Sequence, residues 1–575
     1  MHDQPRPAPV AETGGDLLVR GGTLIDGSGA PERRGDLRIR GGRIAEIGRA
    51  LAPEGEAEVD AAGAVVVPGF IDTHTHLDPQ MFWDPACDPN PQHGVTTALV
   101  GNCSLSLFPV NDEQRHAIAD VFAFVEDVPI EAFETAVPWD WQDYAGYRDS
   151  VDRRGAGLNV AALMGHSALR LVVMGDAAWT RAATDEERAG MAAVLDAAMS
   201  AGAWGLSTSF FDEDRSGRPV PSRQADDDEL DALLDVIARQ GRGLVEFVPD
   251  LTGADPEVGM DRLATRCGTR GIPLTWTGFT HTDSNPARTA AWLDLTERYQ
   301  AAGVQIWPQL SPRTIDFRLN WDSSMMFMAF PEGWHRVVQA RGDDKAALLS
   351  DAAWRARARE EWDRVDKAMF PHRRPDRVRF VELSAAGDQP WIGRSLEDLV
   401  AARGGHPSDV LADLALANDC RPGIVAVGIS NADVDGVART LTDPRVLISS
   451  SDAGAHVQML CASGDTTLLL TRHVRDRGDL TLEAAIHALT GRQADIFGFR
   501  GRGRLEVGAV GDVAVFALDE LHWDADELVG DLPGGARRMR RPEGGYRATV
   551  VNGTPVQLGG ALTGALPGRM LDVHG

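Results

Sequence analysis

Short apolar runs alternate with amphipathic stretches through most of the chain. This alternation predicts repeated units of one strand and one helix around a parallel sheet. Eight runs have the length and composition of buried strands: residues 64–76, 95–103, 158–166, 203–210, 243–250, 272–281, 303–311 and 445–452. Eight such units predict an α/β fold of the TIM-like (β/α)8 barrel type. Residues 423–430 (GIVAVGIS) are a ninth candidate strand, so the register near the end of the barrel stays open.

One connecting helix is defined by its first residues. Thr184 and Glu187 have the spacing of a capping box, in which each side chain bonds the backbone N–H of the other residue. Apolar residues then recur at helical spacing, namely Met191, Val194, Leu195 and Ala198. The sequence therefore predicts a helix that begins at Thr184 and ends before Gly202.

The two ends of the chain follow a different pattern. Residues 16–68 and 500–575 contain short strand-like runs separated by glycine-rich turns, which is typical of antiparallel sheets. We therefore expect a small β-sandwich domain built from both chain ends, with the barrel at residues 69–499 between them. The Pro-rich residues 1–15 are expected to be disordered. Residues from about 313 to 395 are too many for a barrel connection, so they predict an inserted subdomain.

Composition narrows the class of partner. The chain has 85 acidic and 57 basic residues among 575, a net charge of -28, which argues against nucleic acid and anionic membranes as partners. Five cysteines without a repeating spacing do not form a disulfide framework. No apolar run approaches the roughly 20 residues of a membrane helix, and the first residues lack a secretory signal pattern. We expect a cytoplasmic protein that acts on a small molecule, and a homo-oligomer stays open.

Residue types that bind metals recur where the predicted strands end. His74 and His76 lie two residues apart in GFIDTHTHLD. If this segment is a strand, both imidazole rings point to the same side of it. Cys103, His166 and Asp452 end the second, third and eighth runs. The carboxyl ends of barrel strands form the active sites of such folds. The pattern therefore favours a functional cluster over a pair of hydrogen-bonded histidines at a strand end.

These side chains are suitable donors for zinc. Zinc binds imidazole nitrogen, thiolate sulfur and carboxylate oxygen, and a catalytic zinc keeps one position open. Water on such a metal has its pKa lowered to about 7. A neighbouring carboxylate can take the proton of the water and later deliver it to a leaving nitrogen. The residue types thus predict metal-assisted hydrolysis.

The chain resembles the amidohydrolase superfamily and, within it, the N-acyl-D-amino-acid deacylases (D-aminoacylases). The resemblance rests on the ordered stretches GGTLIDGSG, GGRIAEIG, PGFIDTHTH, HGVTTALVGNCS, MGHSALR, GAWGLSTS, SSDAGAH and LTGRQADIFGFRGRGRLEVGAVGDVAVF. It covers nearly the whole chain outside the insertion. It implies a TIM-like barrel, a small composite β domain and a divalent metal, usually zinc, that activates water against an amide bond.

The resemblance also implies roles for individual residues. His74 and His76 would be metal ligands, Cys103 a thiolate ligand, and Asp452 both general base and ligand. The family has histidines at the ends of strands five and six, whereas this chain has LVEFVPD and LTWTGFTH there. Glu246, in the first of these stretches, is left as an additional ligand.

The number of metals follows from the same comparison. Other amidohydrolases bridge two metals with a carboxylated lysine, but this chain has only Lys345 and Lys367, both inside or beside the insertion. Together with the missing histidines, this predicts one metal, zinc, rather than two.

Two further residues are candidates for substrate binding. His166 can contact the substrate or bond a loop carbonyl. Arg170 can pair with a substrate carboxylate, because its planar guanidinium suits that contact, or it can be structural.

The main functional hypothesis is a metal-dependent hydrolase of an amide C–N bond, most similar to enzymes that deacylate N-acyl-D-amino acids. An alternative is hydrolysis of a cyclic amide, a carbamate or an ester on the same barrel. A second alternative, from another class, is a barrel without catalysis that serves as a binding or scaffold protein.

Overall fold

The structure is a computed structural model that describes residues 15–251, 256–282, 285–322, 332–364, 374–449 and 451–575. Of the predicted disordered segment 1–15, residues 1–14 lie outside the described residues, as does Lys367. No helix among the described residues is long and apolar enough to cross a membrane.

The first strands belong to a sheet outside the central region. They are β1 (Leu17–Leu24), β2 (Arg33–Arg40), β3 (Arg43–Gly48), β4 (Ala57–Asp60) and β5 (Val65–Pro68). β1 pairs antiparallel with β2, and β2 pairs antiparallel with β3. β1 also pairs in parallel with β4 and β5. Side chains of this sheet form their own apolar core, which includes Leu17, Val19, Leu37 and Val66.

The central region contains strands that pair in parallel. They are β6 (Phe70–Asp72), β7 (Val95–Val100), β8 (Asn159–Ala162), β9 (Met164–Gly165), β10 (Gly205–Ser209), β11 (Leu244–Val248), β12 (Leu274–Trp276) and β13 (Ile306–Leu310). One series of pairs runs β6–β7–β8 and the other runs β9–β10–β11–β12–β13. Nearly every residue of these strands is buried, as expected for parallel strands covered on both faces.

Helices connect these strands. They are α1 (Gln80–Trp83), α2 (Arg115–Val125), α3 (Ile130–Ala136), α4 (Tyr144–Arg154), α5 (His166–Met174), α6 (Asp185–Ser200), α7 (Asp227–Gln240), α8 (Pro256–Arg270) and α9 (Pro286–Ala301). The predicted helix is confirmed as α6. Its capping box is present, because Thr184 Oγ1 accepts from Glu187 N and Glu187 Oε2 accepts from Thr184 N.

The predicted insertion lies in a unit with its own core. Its elements are β14 (Ile315–Arg318), α10 (Glu332–Gln339), α11 (Gly342–Ser350), α12 (Ala352–Arg364), β15 (Val378–Glu382), α13 (Leu396–Arg403), α14 (Pro407–Ala417) and β16 (Gly423–Ser430). The ninth candidate run is β16, which pairs antiparallel with β14 and β15 rather than with the parallel strands. The core contains Trp334 and Trp354, with ring centroids 5.2 Å apart.

The chain then returns to the parallel strands. The elements are α15 (Val434–Leu441), β17 (Leu447–Ile448), α16 (Asp465–Leu468), a π-helical segment (Leu469–Asp476), α17 (Leu482–Leu489) and α18 (Gly491–Phe497). β17 pairs in parallel with β13. Beyond β17, Ala453 forms a parallel bridge with Thr75, which follows β6. Each of the eight predicted strand runs therefore contains a strand, and Ala453, directly after the last run, is bridged to Thr75 in the first.

The last strands are β18 (Val513–Phe516), β19 (Glu527–Val529), β20 (Arg538–Arg540), β21 (Ala548–Val551), β22 (Thr554–Leu558) and β23 (Ala561–Leu562). β18 pairs antiparallel with β5 and with β21. Strands from both ends of the chain thus share one sheet, while β19 and β20 form a separate pair.

A second apolar cluster, which we call the apolar layer, joins side chains of the parallel strands to the segment around the end of α18. Its members include Ile71, Leu99, Leu163, Leu244, Leu447, Phe497 and Phe499. Trp204 belongs to the same layer, where its ring stacks on Phe499 at 4.8 Å and its Nε1 donates to Phe497 O at 2.7 Å. The polar residues that follow β6, β7 and β17 lie at the carboxyl ends of these strands.

Candidate metal centre

The predicted ligands follow the strands that should carry them. His74 and His76 follow β6, Cys103 follows β7, and Asp452 follows β17. Two backbone bonds join the first and last of these segments: Asp452 N donates to His74 O at 3.1 Å, and His76 N donates to Ala453 O at 2.7 Å. The alternating geometry of an extended segment aims both imidazoles to the same side, and their ring centroids are 5.4 Å apart.

The side chains of these residues converge. His74 Nε2 lies 3.4 Å from Cys103 Sγ and 3.5 Å from Asp452 Oδ1. His76 Nε2 lies 3.4 Å from the same Asp452 oxygen. Around a tetrahedral zinc with bonds of about 2.0–2.3 Å, neighbouring ligand atoms lie about 3.3–3.8 Å apart. These three separations are those of neighbouring ligands around one cation, and ligand atoms of His74, His76 and Cys103 all lie within 4.8 Å of one another.

Unpartnered polar atoms support the same fit. Both histidine rings are fully buried. His76 has no hydrogen-bond partner within the described chain at either ring nitrogen, and His74 has none at Nδ1. A buried polar group without a partner costs about 1–3 kcal/mol. A cation that accepts the imidazole lone pairs removes part of that cost.

The backbone at the centre is strained. Cys103, Asp452 and His456 have φ angles of 54°, 67° and 52°, in the left-handed region that side chains other than glycine rarely adopt. Such residues cost about 1–3 kcal/mol each and collect at functional sites. The fold thus holds these three side chains in place against a local preference.

Glu246 joins the centre from β11. Its Oε2 accepts from the backbone N of Cys103 at 2.9 Å, and its Oε1 lies 3.8 Å from His74 Nδ1. Cys103 and Asp452 contact the other nitrogen of His74. Glu246 therefore lies behind this ring and is placed to orient His74 and Cys103.

Glu126 is a member of the centre that the sequence analysis missed. It directly follows α2, and its Oε1 lies 3.4 Å from His76 Nδ1 while its Oε2 lies 4.0 Å from His456 Nε2. His76, Glu126 and Asp452 together form a second set of side chains that can hold a metal. A signal was present in the sequence, because Glu126 is an acidic residue directly after the apolar run Val121–Val125, which is buried in the structure.

The charges at the centre respond to burial and to one another. Burial raises the pKa of Glu246 to about 8, and it raises that of Glu126 to about 8 against the pull of His76. Burial lowers the pKa of His74 to about 4. The pKa of His76 is raised to about 9, because the charges of Glu126 and Asp452 outweigh burial. Burial also keeps the pKa of the Cys103 thiol well above its usual range. Burial thus outweighs the nearby positive charge of His76 at Glu246 and Glu126, which retain protons that a cation would displace.

The fifth and sixth predicted strands, β11 and β12, place no histidine at the metal centre among the described residues. Thr275 pairs with Glu246 across β11 and β12, and its buried Oγ1 has no hydrogen-bond partner among the described residues. His281 lies elsewhere: its Nε2 contacts Asp433 Oδ2 at 3.2 Å, and its backbone N donates to Asn431 Oδ1 at 2.8 Å.

The structure does not bring His166 and Arg170 to the metal centre. His166 Nε2 lies 2.7 Å from Glu229 Oε1, and His166 Nδ1 lies 3.0 Å from Thr208 Oγ1. Arg170 forms an ion pair with Glu229 Oε2 and donates to Arg181 O at 2.7 Å. All three side chains of this cluster are fully buried. In the structure, Glu229 of α7 supplies a carboxylate to both residues, and their contact with a substrate stays a prediction.

A family model described as the amidohydrolase family matches residues 57–304 and 345–557. The chain belongs to the amidohydrolase family. An amidohydrolase of this kind is a hydrolase that acts on C–N bonds other than peptide bonds, and this family membership confirms the predicted class of enzyme.

Relatives match along most of the chain. An uncharacterized protein of Mycobacterium tuberculosis is 32% identical over 96% of this chain and 93% of its own length. D-aminoacylase of Alcaligenes xylosoxydans xylosoxydans is 29% identical over 97% of both chains. The crystal structure of N-acyl-D-glutamate deacylase from Bordetella bronchiseptica, complexed with zinc and a phosphonate inhibitor, superposes with a TM-score of 0.66 at 26% identity, covering 97% of this chain and 99% of that one.

These likenesses confirm the resemblance found in the sequence and the α/β class of the fold. They also support a metal-dependent amide hydrolase as the general kind of enzyme.

Proposed function

We propose that this amidohydrolase deacylates N-acyl-D-amino acids with one bound zinc. The observation that carries the proposal is the convergence of His74, His76, Cys103 and Asp452, whose contacting atoms are 3.4–3.5 Å apart. These are donors that zinc accepts. The similarity to D-aminoacylase over 97% of the chain supports the substrate class.

The proposed architecture is a closed (β/α)8 barrel with a composite β domain. The parallel pairs from β6 to β13, the pair of β17 with β13, and the Thr75–Ala453 bridge support closure. The antiparallel pair of β5 with β18 supports a small domain formed by residues 16–68 and 500–575 around a barrel at 69–499. The metal centre then lies at the carboxyl-terminal mouth, where such barrels carry their active sites.

Asp452 is the proposed general base. Its side chain is 30% exposed, whereas those of His74 and His76 are nearly inaccessible, so a substrate can reach Asp452 from the mouth. Burial acts against its negative charge, yet the neighbouring histidines hold the pKa of Asp452 well below its usual range. An ionised Asp452 can accept a proton from the attacking water and deliver it to the leaving nitrogen.

The other residues hold the centre in place. When bound, a divalent cation polarises the amide carbonyl and makes water more acidic. His74 and Cys103 are oriented by Glu246, which contacts the far nitrogen of the ring and the backbone N of the cysteine. His76 is fixed by its backbone bond to Ala453 and by its packing on Phe122, with ring centroids 6.0 Å apart.

The test combines metal analysis with a paired substrate screen. We expect about one zinc per chain in the purified protein and hydrolysis of N-acetyl-D-amino acids but not of their L enantiomers. The variant Asp452→Asn should lose turnover while the protein stays folded. Cyclic amides, carbamates and esters are assayed beside them, since cleavage of these alone would favour the alternative hydrolase.

Two results would overturn the proposal. Absence of metal even after zinc loading would favour a scaffold protein. Full turnover by Asp452→Asn would remove Asp452 from the reaction. Circular dichroism of each variant serves as the control for folding.

A further inference from the structure

A cavity of about 310 Å³ lies between the inserted unit and the last strands of the chain. Its apolar wall comes from both regions: Val381 of β15 and Val425 of β16 lie in the inserted unit, and Leu528 and Met539 belong to β19 and β20. Ligand pockets in proteins have volumes of about 300–1,000 Å³. This cavity therefore has room for one small molecule.

Strand β14 separates this cavity from the metal centre. Asp316 and Arg318, two residues apart in β14, both line the cavity. Phe317 lies between them, and its ring centroid is 6.3 Å from that of His456, whose Nε2 lies 3.7 Å from Asp452 Oδ2. Because successive residues of a strand point to opposite faces, the cavity and the metal centre lie on opposite sides of β14.

Charged side chains of both signs line the cavity. They are Arg313, Arg318, Arg541, Asp316 and Asp526. A small ligand that carries a positive and a negative charge can therefore meet a partner for each of them. The apolar wall between these charges suits an uncharged side chain of the same ligand.

The cavity wall contains donors that the described chain does not use. Arg318 forms an ion pair with Glu382 through Nη2, and its Nε and Nη1 form no hydrogen bond among the described residues. Arg313 is only 6% exposed, and its buried Nε has no partner within the described chain. Guanidinium groups bind carboxylates through charge-assisted hydrogen bonds. The arginine side of the cavity is therefore suited to a carboxylate.

The opposite charge is supplied by two neighbouring aspartates. Asp526 Oδ2 accepts from Cys461 N at 2.8 Å, and its Oδ1 has no hydrogen-bond partner among the described residues. Asp316 Oδ1 accepts from Gly428 N at 2.6 Å. Burial raises the pKa of Asp316, and the neighbouring charge of Asp526 raises it further. A positively charged group between the two carboxylates would relieve this repulsion.

We propose that this cavity binds a free α-amino acid with a compact apolar side chain. The carboxylate of the ligand pairs with Arg318, and its ammonium group pairs with Asp316 and Asp526. Its side chain packs on Val425 and Met539. The site is separate from the metal centre, so binding does not depend on the hydrolysis proposed above.

Leucine is the probe, and two analogues of the same shape test each charge. 4-Methylpentanoate lacks the amino group, and 3-methylbutylamine lacks the carboxylate. Binding of both leucine enantiomers and of the two analogues to the full-length protein is measured by isothermal titration calorimetry. Leucine should bind about 10- to 100-fold more tightly than either analogue, because a hydrogen bond to a charged group changes an equilibrium constant by about that factor.

Two variants remove one charge each from the cavity wall. Arg318→Gln should weaken leucine binding by the same factor and leave binding of 3-methylbutylamine unchanged. Asp526→Asn keeps an acceptor for Cys461 N, and it should weaken leucine while binding of 4-methylpentanoate stays the same. The matched controls are Arg379→Gln in β15 and Asp519→Asn, which change exposed residues that do not line the cavity.

A variant of the metal centre distinguishes this site from the active site. Leucine binding should persist in the His74→Ala, His76→Ala protein, whose folding is checked by circular dichroism. Loss of leucine binding in that folded variant would place the amino acid at the metal centre and overturn the inference.

Three other results would also overturn it. Leucine that does not bind at millimolar concentration would leave the cavity without this ligand. Equal affinities for leucine and 4-methylpentanoate would indicate a site for simple carboxylates. Leucine binding that neither Arg318→Gln nor Asp526→Asn changes would place the ligand outside the cavity.

Discussion

Two buried clusters of histidine and carboxylate in this protein differ in whether their polar atoms are satisfied. In the cluster of His166, Arg170 and Glu229, both ring nitrogens and both carboxylate oxygens contact partners. At the metal centre, both nitrogens of His76 lack hydrogen bonds within the described chain, and the nearest carboxylate oxygens are 3.4 Å away. The histidine and carboxylate atoms of the first cluster are therefore satisfied, although Arg170 Nε has no hydrogen-bond partner among the described residues, whereas the ring nitrogens of His76 are not satisfied.

The pKa shifts express the same contrast. Burial alone would raise the pKa of Glu229, but hydrogen bonds and charges from His166 and Arg170 hold it at about 2. Burial raises the pKa of Glu126 to about 8 despite His76. A buried carboxylate with sufficient positive charge stays ionised, while one without it binds a proton or a metal. The presence of histidine next to a buried acid therefore does not by itself identify a site; at the metal centre, the unsatisfied nitrogens of His76 add to the convergence of several metal-binding side chains.

The largest effect is expected from removal of both ligand histidines. A His74→Ala, His76→Ala double variant should contain no metal and should hydrolyse substrates only at the background rate, because two donors of the centre are lost. Elemental analysis and turnover measure this. His116→Ala, which changes an exposed histidine next to the start of α2, is the control. A double variant that kept its metal would place the metal elsewhere in the protein.

The next largest effect is expected in the cluster of His166, Arg170 and Glu229, where a substitution should lower stability. Arg170→Met leaves Glu229 buried with His166 as its remaining ionisable partner, and breaking a buried pair costs about 3–5 kcal/mol. Denaturant unfolding should show this decrease in the free energy of unfolding, while metal content stays the same. Arg181→Met removes a half-exposed partner of Glu187 and should cost only about 0–1 kcal/mol.

The opposite pattern for Arg170→Met would be informative. A large rise in KM with unchanged stability would return Arg170 to the role of binding a substrate carboxylate. A second change, Glu229→Gln in the Arg170→Met background, should recover part of the lost stability, because the uncompensated charge is then removed.

The clusters also differ in how well the sequence predicts them. His74, His76, Cys103 and Asp452 each end a recognisable apolar run, and the topology of a parallel sheet brings strand ends together. Their contacts follow from a local pattern, so the sequence predicts which side chains meet. The pattern does not distinguish every strand. The apolar run of β16 resembles a parallel barrel strand, but β16 pairs antiparallel with β14 and β15.

The argument from strand ends does not predict the positions of Glu126 and Glu229. Each lies on or next to a helix, and the helix must pack in a particular orientation before its carboxylate meets a histidine. Glu229 is 63 residues from His166 along the chain, and nothing near Arg170 in sequence indicates that pair. The roles of residues in helices depend on packing angles that apolar periodicity does not specify.

A smaller effect is expected from pH on the metal-free protein. Glu126 and Glu246 have pKa values raised to about 8, so the folded state keeps protons that the unfolded state loses near its ordinary glutamate pKa. Their contribution to stability falls as pH rises toward 8. His76, with a pKa of about 9, contributes stability that is complete below about 6.5 and lost as pH rises through 9. His74, with its pKa lowered to about 4, changes the stability only below about pH 6.5.

Glu126, Glu246 and His76 therefore all lower the stability of the folded protein as the pH rises above about 6.5. Thermal melts of the chelated protein should show a Tm that falls between about pH 6.5 and 8. The metal-loaded protein should change less, because the cation keeps the carboxylates ionised. Glu246→Gln should reduce the slope in the chelated protein. A Tm that rises over this range would contradict the assigned charge states.

The smallest effect concerns a region remote from both clusters, the capping box of α6. Thr184→Ala removes the side-chain acceptor of Glu187 N, and loss of such a cap costs about 0.5–2 kcal/mol. Thr184→Ser keeps the hydroxyl and should recover most of that loss. Because α6 ends in an apolar contact through Leu195 and Met199 with the main core, weakening its first turn should loosen the helix start without moving the strands that carry the metal. The free energy of unfolding should therefore fall while metal content and turnover stay constant. A parallel loss of metal would mean that the centre depends on the outer helices, and not only on the backbone bonds of His74 and His76 to Asp452 and Ala453.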